Sequence, residues 1–141
     1  MAKPQDRLTQ EELDQLRIQC KTNLLSYAQW IFEPFGSFAV KPFHEDICNA
    51  LEEVMIGKTK NLIITMPPRT GKSALVSQIF PARAMGINPR MQFMLASYSP
   101  DLAKEFSNKA KKYVTSERHA AIFGEMKLSQ AQAQEWENTM G

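Results

Sequence analysis

The chain has 141 residues, 43% of them hydrophobic and 23% charged, with a formal net charge of +2. That balance fits one small globular domain and excludes a disordered polar chain, while the mild positive charge permits a nucleic-acid partner without requiring one. Cys20, Cys48, His44 and His119 stand far apart in the sequence, so no metal-ligand spacing appears and the two thiols read as buried and reduced.

The opening residues, MAKPQDRLTQEELDQL, are polar and do not read as a signal peptide. The longest apolar run, NLIITM, is too short to cross a bilayer, so the expectation is a soluble intracellular protein without a membrane partner. Thr9 and Glu12 have the spacing of a capping box. Leu13, Leu16, Cys20, Leu24, Ala28 and Ile31 follow at helical intervals, which predicts one amphipathic helix from about Thr9 to Phe32. Glu33 to Phe43, with two prolines and a glycine, reads as a connecting loop. A second helix is expected over about His44 to Ile56, with Ile47, Leu51 and Val54 on one face and Gly57 ending it.

Leu62-Ile63-Ile64-Thr65 within Asn61 to Met66 is an unbroken β-prone run, the pattern of a strand buried on both faces of a parallel sheet. Lys72 to about Met85 reads as a helix, kinked or divided at Pro81. After the GINPR turn, Met91 to Ser97 reads as a second buried strand, which completes a strand–turn–helix–strand unit. Ser99-Pro100-Asp101 supplies an N-cap, a proline at the first helical position and an acid in the first turn. Leu102, Phe106, Ala110 and Val114 give that helix its buried side, and no firm period survives beyond Gly124.

The turn carries the chemistry. NLIITMPPRTGKSALV ends in Gly71-Lys72-Ser73, the close of the phosphate-loop pattern G-x-x-x-x-G-K-[ST], with Met66 in place of its first glycine. A bare G-K-[ST] arises by chance in roughly one chain in fifteen of this length. Here it directly follows an expected buried strand and opens a helix, the context the chemistry requires. Backbone amides at a helix start offer partial positive charge to phosphates. Gly71 lets the backbone approach, Lys72 reaches the β- and γ-phosphates, and the Ser73 hydroxyl ligates Mg²⁺. Pro67 and Pro68 fix the turn where the first glycine is missing, and Arg69 presents a guanidinium to the γ-phosphate.

MPPRTGKS resembles the deviant Walker A loop of the large terminase subunit of tailed bacteriophages. The resemblance runs from about Trp30 to Met140. It takes in the Pro-Phe-His element at 42–44, the loop, and FPARAMGINPRMQFMLASYSPDLAKEFSNKAKKYVTS downstream. It implies an α/β fold of the additional-strand P-loop NTPase class, with an incomplete parallel sheet, flanking helices and an N-terminal helical segment. The implied division is a helical segment at 1–32 and the first part of an ATPase domain at 33–141. ATP and Mg²⁺ are the implied cofactors. Pro68, Arg69, Thr70, Gly71, Lys72, Ser73 and Ala74 are the implied nucleotide site, with Lys72 and Arg69 as catalytic candidates. Phe43 and His44 match the position of an adenine-recognition element; a core phenylalanine and a helix-capping histidine are the alternative. The implied partners are double-stranded DNA, a portal protein and a small terminase subunit, in a ring homo-oligomer acting at the procapsid in the host cytoplasm.

Nothing after Ser97 reads as a Walker B strand ending in paired acids; Glu125 follows a glycine, and WIFEP holds one acid. The family's nuclease carboxylates are absent as well. The expectation is therefore a front portion of an ATPase, marginal in stability and inactive alone. The alternatives are a non-catalytic nucleotide-binding prophage remnant, or another P-loop ATPase or kinase. Lys104, Lys109, Lys111, Lys112 and Arg118 form a basic stretch that either meets DNA phosphates or is a solvated helix face.

Overall fold

Thr9 opens the first helix as its spacing predicts: its hydroxyl accepts the Glu12 amide while the Glu12 carboxylate accepts the Thr9 N–H at 2.8 Å. The computed structural model describes residues 3–36, 38–131 and 136–138. A short 3₁₀ turn, Pro4–Arg7, leads into α1 (Gln10–Thr22) and α2 (Leu24–Phe32). The single helix expected from Thr9 to Phe32 is thus two. Asn23 breaks it with φ −137° and ψ 119°, and its side chain accepts the Ser26 amide, so it caps α2. The apolar period continues through the break, which is why periodicity alone did not reveal it.

α3 (Pro42–Met55) starts earlier than expected because Pro42 takes the first helical position, where its missing N–H costs nothing. It ends as expected, with Gly57 at φ 75° just past the cap. Lys72 then begins a continuous helical run: α4 (Lys72–Ala74), a π-helical turn (Leu75–Ile79) and α5 (Phe80–Ile87). In the π turn the Phe80 amide reaches back to the Leu75 carbonyl. The wider turn lies just ahead of Pro81, where a proline cannot complete the regular ladder. α6 (Pro100–Val114) begins at Ser99, which caps it, and α7 (Glu117–Phe123) begins at Ser116. β1 (Leu128–Ala131) and β2 (Trp136–Asn138) pair as an antiparallel hairpin.

The expected parallel sheet is not formed, and the α/β P-loop assignment is corrected: the chain is mostly helical. Residues 61–67 and 91–97 have no regular structure, and no backbone hydrogen bond joins them among the described residues. Their sequences carry strand propensity, but propensity needs partners. Two lone parallel runs gain too little from pairing to hold a sheet. Ile64 and Met66 turn inward against the core, whereas Ile63 and Met94 are 91% and 94% exposed. Phe93 remains partly covered by an edge contact with Phe80 at 6.1 Å.

The core lies between the helices. α2 packs on α1, α3, α5, α7 and the π turn, while α6 covers the π turn and α5. Leu24, Tyr27, Leu75 and Ile79 are wholly buried, and burying such a side chain contributes about 1.5–3 kcal/mol. Cys20 and Cys48 are free and buried in the same cluster, where burial pushes their thiols up to about 12 and about 11. Both are therefore protonated and inert in the folded chain.

Most polar groups inside this core find partners, although His119 Nε2 and Arg118 Nε are buried without one among the described residues. The Tyr27 hydroxyl lies 2.7 Å from His119 Nδ1, and both residues are fully buried. With the hydroxyl as donor, one group of this pair, the Nε2–H of His119, lacks a partner among the described residues; the opposite tautomer would leave two. Arg118 stacks on the Trp30 ring at 4.1 Å and donates to the Trp30 carbonyl at 2.8 Å. Trp30 returns its indole N–H to the Arg118 carbonyl at 2.9 Å, and Glu33 pairs with the same guanidinium. That clamp ties α2 to α7 and takes Arg118 out of the basic stretch considered for DNA.

Candidate functional site

The loop between Met66 and Lys72 is built by three backbone features. Arg69 has φ 62°, in the left-handed region that a non-glycine residue enters only at a cost. Thr70 donates its hydroxyl to the Pro67 carbonyl at 2.9 Å and closes the turn that the two prolines begin. Gly71, at φ 82°, is the N-cap of the following helix and offers it no side-chain cap. The first amides of that helix, from Lys72 to Ala74, lie ahead of any intrahelical acceptor, as at every helix start.

His44 reaches the loop from α3. Its Nδ1 accepts the Lys41 amide at 3.0 Å, capping α3, and its Nε2 lies 2.8 Å from the Thr70 carbonyl oxygen. Both contacts hold only in the neutral tautomer that carries its proton on Nε2, because an amide must donate and a carbonyl must accept. Beneath the loop the Phe38 ring tilts against His44 with centroids 4.7 Å apart and stacks on Phe32 at 5.4 Å. A Cβ built on Gly71 would lie 3.5 Å from His44 Nε2 and 3.7 Å from Phe38. The loop therefore rests on an aromatic platform.

The sequence candidates fall into two groups. Pro68, Arg69, Thr70, Gly71, Lys72, Ser73 and Ala74 form one continuous turn and helix start, with Arg69 and Ser73 exposed and Lys72 half-buried. Among the described residues no carboxylate pairs with Lys72 or Arg69, so both cations are available to an anion. The other pair, Phe43 and His44, lies beside this turn. His44 is buried with both ring nitrogens committed to backbone groups, and Phe43 meets it edge-on at 4.3 Å. In this arrangement His44 presents no hydrogen-bonding edge to a base.

Sequence reasoning passed over Phe38 and the bond from His44 to Thr70. Phe38 sits in a Pro/Gly loop whose aromatic content was the only available sign. Residues 44 and 70 meet only through the tertiary fold.

Acidic chemistry is sparse. Glu33 is paired with Arg118, and Glu125 is exposed in the irregular segment after α7. Among the described residues no group of three or more His, Cys, Asp or Glu side chains could hold a metal ion. A cavity of about 700 Å³ lies instead at the start of α1, lined by Thr9, Glu12, Leu16 and Trp30 among others. None of its lining residues belongs to the loop, and Thr9 and Glu12 are already engaged in the helix cap. On α6, Lys109 is paired with Glu105 at 2.6 Å, which favours a solvated, self-neutralised helix face. No helix of the described residues is long and apolar enough to cross a membrane. No family model matches the sequence, and neither the curated proteins nor the solved structures searched give a match.

Proposed function

We propose that residues 68–74 bind the triphosphate of Mg-ATP, as the nucleotide-binding part of a motor that moves double-stranded DNA into a viral procapsid. The observation that carries the nucleotide reading is Gly71. A left-handed glycine caps the start of a helix, adds no side chain of its own, and stands directly before a lysine that no carboxylate pairs with among the described residues. That arrangement suits a bound phosphate: amides for its oxygens, a cation for its charge, and no Cβ in the way. The strand expected before the loop is not formed, so the reading rests on this turn and helix start alone.

Mg²⁺ fits through the nucleotide. The exposed Ser73 hydroxyl supplies one oxygen and the phosphates supply others, in keeping with the taste of Mg²⁺ for few protein ligands. Bound ATP supplies the phosphoanhydride whose cleavage drives transport. Lys72 holds the charge of its β- and γ-phosphates, and Arg69 is the candidate for charge that develops on the γ-phosphate. A carboxylate that orients the attacking water is needed for turnover, and the described residues near the loop provide none that the structure pairs with it. The expected behaviour of this chain is binding with little hydrolysis. The DNA-packaging context, with its portal protein, small subunit and ring assembly in the host cytoplasm, is supported by the likeness of MPPRTGKS and the Pro-Phe-His element to terminases.

Calorimetric titration of Mg-ATP into the wild-type chain and into Lys72→Ala tests the proposal. Binding by the wild type, weakened at least tenfold in the variant with an unchanged circular dichroism spectrum, is the expected result. A folded wild type that takes up no Mg-ATP overturns it and leaves a protein-binding remnant as the reading.

A further inference from the structure

We infer that His44 is a positioning residue of the loop: it aims the Gly71 N–H outward at a phosphate and takes no part in reading the base. The inference rests on the nucleotide reading above and assigns His44 a different task from adenine recognition. The argument runs through one peptide plane. The Thr70 carbonyl oxygen is drawn inward to His44 Nε2 at 2.8 Å. In a trans peptide the carbonyl and the following N–H point in opposite directions, and no cis peptide bond occurs among the described residues. The Gly71 N–H is therefore directed away from His44, and it has no acceptor among the described residues. Lys41 fixes the imidazole from the far side by donating its amide to Nδ1, which forces the proton onto Nε2. Phe38 and Phe43 both pack against the ring, with centroids at 4.7 and 4.3 Å. Every polar atom of the His44 side chain is spent on backbone, and the side chain is 4% exposed. Its effect on a ligand must pass through the loop and be indifferent to which base the ligand carries.

Three substitutions separate the possible roles. Glutamine places a donor near the position of Nε2 and restores the bond to Thr70. Asparagine places an acceptor near the position of Nδ1 and restores only the cap on α3. Alanine restores neither. Affinities for Mg-ATP, Mg-GTP and inorganic triphosphate are compared in all three. His44→Ala and His44→Asn are expected to lose about tenfold towards each of the three ligands, and His44→Gln to recover most of it. A loss confined to Mg-ATP would make His44 a base contact and overturn the inference. Equal behaviour of the Asn and Gln variants would reduce His44 to a helix cap and overturn it as well.

A second measurement does not depend on any ligand. Imidazole ¹⁵N shifts of His44 in the wild-type chain must show a protonated Nε2 and a bare Nδ1; the reverse tautomer overturns the brace. Should the wild type bind none of the three anions, the nucleotide reading falls while this readout still decides whether the brace exists.

Discussion

Arg83 Nη1 lies 2.9 Å from Glu52 Oε1, an ion pair in which the arginine is 2% exposed. The same guanidinium donates to the carbonyls of Cys20 and Lys21 at 2.7 Å each, and Glu52 also accepts the Leu24 amide at 2.7 Å. One buried cation thus joins the end of α1, the start of α2, the side of α3 and α5. Arg83→Ala is expected to cost about 3–5 kcal/mol, because it leaves the carboxylate and two carbonyls without their partner. Arg83→Lys restores only part of that, since a point charge cannot meet three acceptors fixed for a planar fork. Urea denaturation of the two variants against wild type measures both.

His119 gives stability a pH dependence. Burial lowers its pKa to about 4, against an ordinary value near 6.5. Between those values the unfolded chain binds a proton that the folded chain refuses, so stability falls as pH drops from about 6.5 to about 4. Across the window the loss is about 3 kcal/mol. Above pH 6.5 the residue contributes no slope. Denaturation midpoints from pH 4 to 8 should show this fall, and His119→Gln should flatten it, whatever its effect on the absolute midpoint.

Gly86 sits where α5 meets α7, and a Cβ there would come within 2.5 Å of the Phe123 ring. Phe123 itself packs against Tyr27 at 5.9 Å and His119 at 5.0 Å, so it has little freedom to withdraw. Gly86→Ala is expected to destabilise by about 1–3 kcal/mol through overpacking. Phe123→Leu in the same chain should relieve part of that cost, a double-mutant interaction that thermal melts can read.

Arg69 is predicted to trade stability against binding. Its φ of 62° is unfavourable for any residue with a side chain. Arg69→Gly removes that strain but loosens the unfolded chain, for a net gain of about 0.5–1 kcal/mol. The same change deletes a guanidinium from the proposed phosphate loop, so the affinity for Mg-ATP should fall while the melting temperature rises. A fall in both would show that Arg69 is held by contacts that outweigh its backbone strain.

Much of the helical architecture was legible because its signals are local. Thr9, Ser99 and Gly57 mark helix ends by their own side chains or lack of one, and they do so in the structure. Asn23 carried the same kind of signal and was overlooked because Leu24 and Ala28 kept the apolar period running past it. The strands failed for a different reason. Leu62 to Thr65 has the composition of a doubly buried strand, but whether such a run is a strand depends on neighbours that bond to it, and none does among the described residues. At the loop, Gly71 was readable from sequence, whereas the bond from His44 to Thr70 was not. No periodicity or spacing rule joins residue 44 to residue 70.

The near-complete exposure of Ile63 and Met94 is expected to set a practical ceiling on concentration. Each sits in a run that pairs with no strand among the described residues; the runs' backbone bonds there are local ones, from the Thr70 hydroxyl to the Pro67 carbonyl and from the Met91 N–H to the Asn88 carbonyl. When two molecules collide, such runs satisfy one another, and β-rich segments of low charge do so cooperatively. Crowded solutions should therefore turn turbid on gentle warming, before the helices themselves have melted. Heating scans would then report how fast molecules stick together.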